Sequence, residues 1–353
     1  MEILDNSKFD NSFIESIDDK LTRLDDNDIY ALLEQLFYYE IMYQDKIGLR
    51  GNDTFGVEIE YMNGYKKNFP TRKKIYRELF SRTVCDTWSV EADGSLGEND
   101  GSELISPIMY DEKCYWDDLR RVCSYIDPIS KINDLCGGHV HIGAHVLENP
   151  DSWVNFFKLW LTYENVIFKF LYGEFDCARG YLSKYAKPVK NDFIAVSELA
   201  DEAINKTKFL EEIFKYLFTS RYYAVNLSGL KNPYEFAEYN TIEVRAANGS
   251  TNHIIWQNNI KFLFKLFYYA NSPLFDDDLV SKRYLETSKE LSFNKGDYSK
   301  IYIDQAIELA DMIFDNNQDK FNFLKQYAKA FDAKQYQATK LKLIRSKKKI
   351  WYN

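Results

Sequence analysis

Three short stretches of this sequence set ionisable residues two apart among β-branched neighbours, a spacing that could support metal or phosphoryl chemistry. In Val57-Glu58-Ile59-Glu60-Tyr61 the two carboxylates fall on one face of a strand and the apolar residues on the other. In His139-Val140-His141-Ile142 two imidazoles share a face, and in Ile242-Glu243-Val244-Arg245 an acid and a guanidinium do. Glu91, Asp93 and Ser95 repeat the spacing, and Glu103 stands opposite Leu104. Taken singly, each pair reads as a solvated strand face, and Glu243 with Arg245 as an ion pair worth at most about 1 kcal/mol if exposed. Neighbouring strands with these faces aligned would instead line one cavity with carboxylates, imidazoles and an arginine. Carboxylates so close cannot all stay ionised without cations beside them.

Oxygen-rich donors with one or two imidazoles suit Mg2+ or Mn2+ better than structural zinc, which favours thiolates or histidine-rich tetrahedra. Hard cations next to arginines suit a polyphosphate: the cations bridge phosphate oxygens, and arginine neutralises charge on the transferred group. The sequence contains neither a GxxxxGK(S/T) loop nor a GxGxxG element. A bound nucleotide would therefore be held by metals and side chains.

Period-two alternation predicts the strands that carry these residues, over Phe55–Tyr61, Thr87–Leu96, Glu103–Ile108, His139–His145 and Thr241–Ala246. Helical spacing predicts helices over 28–46, 151–172 (with Pro150 suited to a first turn), 208–219, 253–270 (capped by Asn252), 279–290, 299–315 and 318–345. Strands in the middle and helices at both ends predict an α+β fold with an antiparallel or mixed sheet.

The 353 residues carry a net charge of −9, which argues against broad nucleic-acid or anionic-membrane binding. Acids dominate the first 28 residues, whereas Lys340, Lys342, Arg345 and Lys347 to Lys349 meet no acid. That tail reads as a solvated last helix, with a polyanion contact as the alternative. Tyr and Phe, 27 and 25 in number, must fill much of the core. Five scattered cysteines without a CxxC pair suit a reducing compartment. Cys136, three residues before His139, raises a thiol nucleophile as a rival, but no other cysteine or histidine supports it. The acidic N-terminal residues lack a secretory signal pattern, and the apolar run Trp153 to Tyr172 carries Lys158, Glu164 and Lys169. A cytoplasmic protein with no membrane and no nucleic-acid partner is expected.

Five segments, in order, resemble the motif series of the amidoligase family. They are Phe55 to Glu60 (FGVEIE), Trp88 to Leu96 (WSVEADGSL), Glu103 to Pro107 (ELISP), Cys136 to Ile142 (CGGHVHI) and Thr241 to Arg245 (TIEVR). That family is grouped with glutamine synthetase and glutamate–cysteine ligase among the carboxylate–amine ligases, and the resemblance covers about residues 53–270. It implies a glutamine synthetase-like catalytic fold, a curved antiparallel sheet holding ATP and Mg2+ (or Mn2+) on its concave face, with helices on its outer face. It implies Glu58 and Glu60 as ligands of different metal ions, His139 or His141 and Glu243 completing the cluster, and Glu103 and Asp93 adding ligands. By the same resemblance Arg245 faces the phosphates. Segments 179–188 and 221–226 resemble the family's basic segments for nucleotide or substrate, which brings in Arg179, Arg221 and Asn226. Arg245, Arg221 and Glu243 would carry the catalysis.

The implied organisation is a helical segment at 1–50, a catalytic domain at 51–272 and a helical extension at 273–353. The implied function is ATP- and Mg2+-dependent formation of an amide or peptide bond between a carboxylate and an amine through an acyl phosphate. Two alternatives stand beside it. A metal-dependent hydrolase built on the His139/His141 strand would need no ATP. A catalytically inactive binding protein on the same fold would bind neither metal nor nucleotide. The sequence names no particular substrate and leaves the oligomeric state open.

Overall fold

The computed structural model describes residues 26–62, 88–91, 93–96, 101–175, 177–193, 205–230, 240–288 and 303–331. Its elements run α1 (Asp26–Tyr38), β1 (Phe55–Met62), β2 (Ser89–Glu91), β3 (Gly101–Ile105), α2 (Lys113–Ile126), β4 (Gly137–Gly143), α3 (Pro150–Leu171), α4 (Leu182–Tyr185) and α5 (Lys190–Phe193). They continue with α6 (Asn205–Leu217), β5 (Val225–Asn226), β6 (Thr241–Asn248), α7 (His253–Ala270), α8 (Asp277–Ser288), α9 (Ile303–Ile313) and α10 (Asn317–Tyr327).

The strands form one six-stranded sheet in the order β2-β3-β1-β4-β6-β5, with every pairing antiparallel. Alternation sorts its two faces. Val57, Ile59, Val140, Ile142, Ile242 and Val244 are all buried on the helical side. There Phe55 stacks on Trp116 of α2 with ring centroids 4.9 Å apart. Gly138 of β4 comes close enough to α7 that a Cβ on it would lie 2.4 Å from the Trp256 ring. Between Gly138 and Val140 the register of β4 against β6 slips, so Arg245 and Ala246 together stand against His139. Such a bulge re-aims side chains beside a site.

The core centres on α3. Asn149 and Ser152 close a capping box at its start, with Pro150 in the first turn as expected. Nearly all of α3 is buried, including Lys158, Glu164 and Lys169, beneath α6 to α10. A helix covered on all sides belongs inside a protein. It kinks at Tyr163, whose φ and ψ are −106° and 16°. The kink follows Thr162, whose hydroxyl donates back to the Lys158 carbonyl at 2.7 Å, a bond that bends helices. Asn252 caps α7 by accepting the Ile254 N–H, also as expected.

Several boundaries differ from the sequence expectation. The first helix stops at Tyr38 rather than reaching 46, and Lys325 of α10 donates to its last carbonyls at Leu36 and Phe37. The strand expected over Thr87–Leu96 shortens to β2 plus a 3-10 turn at Gly94–Leu96, because Asp93 accepts from both the backbone and the hydroxyl of Ser95. The strand expected over His139–His145 begins at Gly137 and ends at Gly143. A 3-10 turn then carries His145 off the strand, its Nε2 lying 2.9 Å from the Asn52 carbonyl. The strand expected over Glu103–Ile108 is Gly101–Ile105, ending short of Pro107. Helix α2 and strand β5 were not anticipated. The signal for α2 is nonetheless present, in the buried stripe Trp116, Leu119, Val122, Cys123 and Ile126. Thr87, the ends of the helices expected over 279–290 and 299–315, residues 332–345, the acidic first 25 residues and the basic tail lie outside the described residues. Among the described residues no helix is long and apolar enough to cross a membrane.

Candidate active site

On the face away from the helices, the register brings the ionisable residues side by side. Glu91, Glu103 and Glu60 stand directly opposite one another on β2, β3 and β1. Glu58 faces His139, while Glu243 faces both His141 and Asn226. Like charges in direct register are unfavourable, so this face is costly unless something neutralises it. It floors a cavity of about 670 Å³, whose wall also includes Asp93, Tyr185, Arg221, Tyr222 and Arg245.

His139 is the hub, and it is 2% exposed. Its Nδ1 lies 2.5 Å from Glu58, 3.4 Å from Glu243 and 3.8 Å from Glu103, and its Nε2 lies 3.4 Å from Glu60. That Nε2 is buried without a hydrogen-bond partner. Two groups have ligand atoms within 4.8 Å of one another, Glu58–His139–Glu243 and Glu60–Glu103–His139. Neither contains His141, whose Nε2 sits 2.8 Å from the other oxygen of Glu58.

The electrostatics follow from this crowding. Burial works against the charge of Glu58, yet the two imidazoles beside it hold its carboxyl well below the usual range. Glu243 is lowered likewise, by His139, His141 and Arg245 against its burial. His141 is raised because Glu58 and Glu243 outweigh its burial. Glu103 goes the other way: burial, then Glu58, Glu60 and Asp93, push it up to about 9. Without a cation the site therefore keeps Glu103 protonated at neutral pH. Crowded carboxylates with one shared imidazole and an orphaned ring nitrogen form a donor set that fits hard divalent cations.

The remaining expected residues fall at different distances from this hub. Arg245 donates from Nη1 to Glu243 and from Nε to the Tyr185 carbonyl at 3.1 Å. Asn226 donates to the second oxygen of Glu243 at 2.5 Å. Asp93 lines the cavity with its carboxylate turned to Ser95. Arg221 is exposed at the rim. Arg179 does not line the cavity but lies buried behind it. Its Nη1 reaches Glu60 at 3.4 Å and its Nη2 the Arg245 carbonyl at 3.2 Å, and Gly137 N–H donates to the same Glu60 oxygen at 2.5 Å. A Cβ on Gly137 would fall 1.4 Å from Arg179 Nη1, so only glycine leaves room for this guanidinium. Cys136 is buried, with Sγ 3.3 Å from Asn133 Oδ1, and burial lifts its thiol to about 11. Such a thiol is a poor nucleophile.

Residues 177–190, which give Tyr185 to the cavity lining, form a strap fastened at both ends. At its start Asn248 accepts the Arg179 N–H at 3.1 Å and donates to the Cys177 carbonyl at 3.0 Å. At its end Glu164 of α3 accepts the N–H groups of Val189 and Lys190 at 2.7 and 3.1 Å, along with the Trp160 indole at 2.9 Å. Between these anchors Lys187 exchanges backbone hydrogen bonds with Tyr222 and Ala224. The sequence reading did not single out Glu91, Tyr185 or Tyr222 as site residues. Glu91 had the right parity, but the two tyrosines reach the cavity only through this long-range pairing.

An antiparallel sheet with a carboxylate–imidazole cluster on its open face defines an α+β protein with a candidate metal centre. Residues 52–267 match the model of the family described as "Putative amidoligase enzyme". That span is more than half of the chain, and the protein belongs to this family. Membership supports a ligase-type, amide-forming function. No curated protein matches the chain. Among solved structures, the crystal structure of a bifunctional glutathione synthetase from Pasteurella multocida aligns with 90% of this chain and 49% of its own, at 14% identity and a TM-score of 0.40. The chain thus spans about half the length of that protein, and a likeness of this degree carries no argument.

Proposed function

We propose that this protein is an ATP- and Mg2+-dependent carboxylate–amine ligase (Mn2+ serving in place of Mg2+) on a glutamine synthetase-like sheet. It would join a carboxylate to an amine through an acyl phosphate. The observation that carries this reading is the pair of metal-sized groups sharing His139, with Arg245 on the same cavity wall. Bound divalent cations would neutralise a phosphate chain and favour transfer of its terminal group.

The protein's own residues divide the work. Glu58 and Glu243 would hold one ion and Glu60 and Glu103 another, with Asp93 nearby; a neutral imidazole offers one ring nitrogen to a metal, so His139 would ligate one of the two. His141 and Asn226 orient the carboxylates of Glu58 and Glu243, and Arg179 grips Glu60 from behind. Arg245 uses Nη1 and Nε inside the protein, which leaves Nη2 to meet phosphoryl oxygens. Residues 51–272 would form the catalytic domain, with the helices after 273 bracing α3.

An ATP-consumption screen over paired carboxylates and amines, with the products weighed by mass spectrometry, tests the reading. ATP spent only when both partners are present, and a product mass lower by one water than the partners' sum, are expected. Turnover without ATP would overturn it in favour of a hydrolase. A protein that binds neither Mn2+ nor ATP would be the inactive binding form.

A further inference from the structure

Beside the cavity the strap and the chain before β5, segments that the resemblance gives to nucleotide or substrate, build a surface to which the metal groups and Arg245 do not extend. Tyr185 contacts both Tyr181 and Tyr222, with ring centroids 6.3 Å and 6.0 Å away. Tyr181 and Tyr222 are 51% and 42% exposed. The Lys184 ammonium lies 4.7 Å from the centre of the Tyr185 ring, and the Arg221 guanidinium 5.4 Å from that of Tyr222. Lys187, next along, is paired with Asp192. Among the described residues, neither Lys184 nor Arg221 has a carboxylate partner in any ion pair. Tyr185, Arg221 and Tyr222 line a cavity whose floor is acidic, and Tyr181 and Lys184 adjoin Tyr185 just outside it, in a chain of net charge −9.

We propose that this rim, formed by Tyr181, Lys184, Tyr185, Arg221 and Tyr222, is the landing site of an acidic peptide, one of whose carboxyl groups is the one the cavity activates. Three features select that chemistry. The charge on the rim is opposite to that of the floor, so it attracts anions toward a cavity whose acidic floor would repel them. The three rings span up to about 12 Å, the length of roughly four residues of extended chain. The cations each take one face of Tyr185 and Tyr222, which leaves less ring surface for the base stacking on which single-stranded nucleic acid depends. The purpose of the rim rests on the ligase reading, but its occupancy can be measured without ATP.

The test is fluorescence anisotropy with labelled tetraglutamate, tetraalanine and tetrathymidylate on the full chain, in chelator and without nucleotide. Tetraglutamate should bind at least about tenfold more tightly than tetraalanine, and salt should weaken it. Lys184→Glu and Tyr181→Ala, both at exposed positions, should each weaken it by about fivefold at unchanged melting temperature. Equal binding of tetraalanine overturns the assignment. Tighter binding of tetrathymidylate makes the rim a nucleic-acid platform, and displacement by ATP with Mg2+ makes it part of the nucleotide site; either result also overturns it. Tetraglutamate binding with no ATP consumed alongside any amine would sink the ligase reading and leave the rim standing. ATP binding without tetraglutamate binding would do the reverse.

Discussion

Glu103 holds its proton because burial and three neighbouring carboxylates oppose its charge, and this has a measurable sign. Its folded value, about 9, lies above the ordinary value near 4.5. Between those values the native state binds more protons than the unfolded chain, so stability falls as pH rises. The metal-free protein should lose melting temperature between pH 7.5 and 9 more steeply than Glu103→Gln does. Saturating Mn2+ should flatten the wild-type slope, since the ion replaces the proton. Parallel slopes in the two proteins would place Glu103 outside the crowded cluster. Arg245 supplies a second test. Lysine cannot keep the bonds to both Glu243 and Tyr185 while offering a further donor. Arg245→Lys should lower ATP-dependent ligation by about a hundredfold, or about 2.7 kcal/mol at the transition state. An equally large fall in Mn2+ affinity would show that it acts through Glu243 instead. The floor residues were legible because strand parity is a local property: Glu58, Glu60, His139, His141, Glu243 and Arg245 announce a shared face by their spacing. What spacing does not encode is who stands behind that face. Arg179 was expected at the nucleotide, yet it lies buried against Glu60.

Strands β1, β4 and β6 were legible because alternation runs through them at full length. β2 and β5 escaped or shrank because each is only two or three residues long and is completed by its neighbour. Helix α2 carries an intact apolar stripe at helical spacing, Trp116, Leu119, Val122, Cys123 and Ile126, so it was legible, and the charged residues between them form its outer face, apart from the buried Asp118. The close packing of β4 depends on its paired glycines. Gly137→Ala puts a methyl group into the Arg179 guanidinium, which would then leave Glu60 without its buried partner. Removing one member of a buried ion pair costs about 3–5 kcal/mol, so chemical denaturation should register that loss. Mn2+ affinity, followed by electron paramagnetic resonance, should fall at least about tenfold with it. Unchanged affinity would mean that Glu60 keeps its pose without Arg179.

The two ends of the described chain close on each other through residues that do not line the cavity. Lys325 of α10 reaches the last carbonyls of α1, and Tyr39 donates to Asn322 at 2.9 Å. Burial draws the Lys325 ammonium down to about 8. Lys325→Met strands those carbonyls, and urea melts should show a loss of about 1–3 kcal/mol. Mn2+ binding should not change, and a matching fall would reveal that the terminal helices govern the cavity. This closure was not legible, because no local pattern tells a lysine in a helix which distant carbonyls it will serve. The strap adds a different consequence for the molecule as a whole. Asn248 and Glu164 bolt its two ends to the scaffold, and only its middle meets whatever arrives at the cavity. If the rim receives the substrate as proposed, the choice of substrate would rest largely on chain outside the strands that carry the carboxylates. Exchanging a few residues between Tyr181 and Tyr185 would then retune what the protein accepts while the floor beneath is inherited intact, and family members would diverge in diet without reinventing their chemistry.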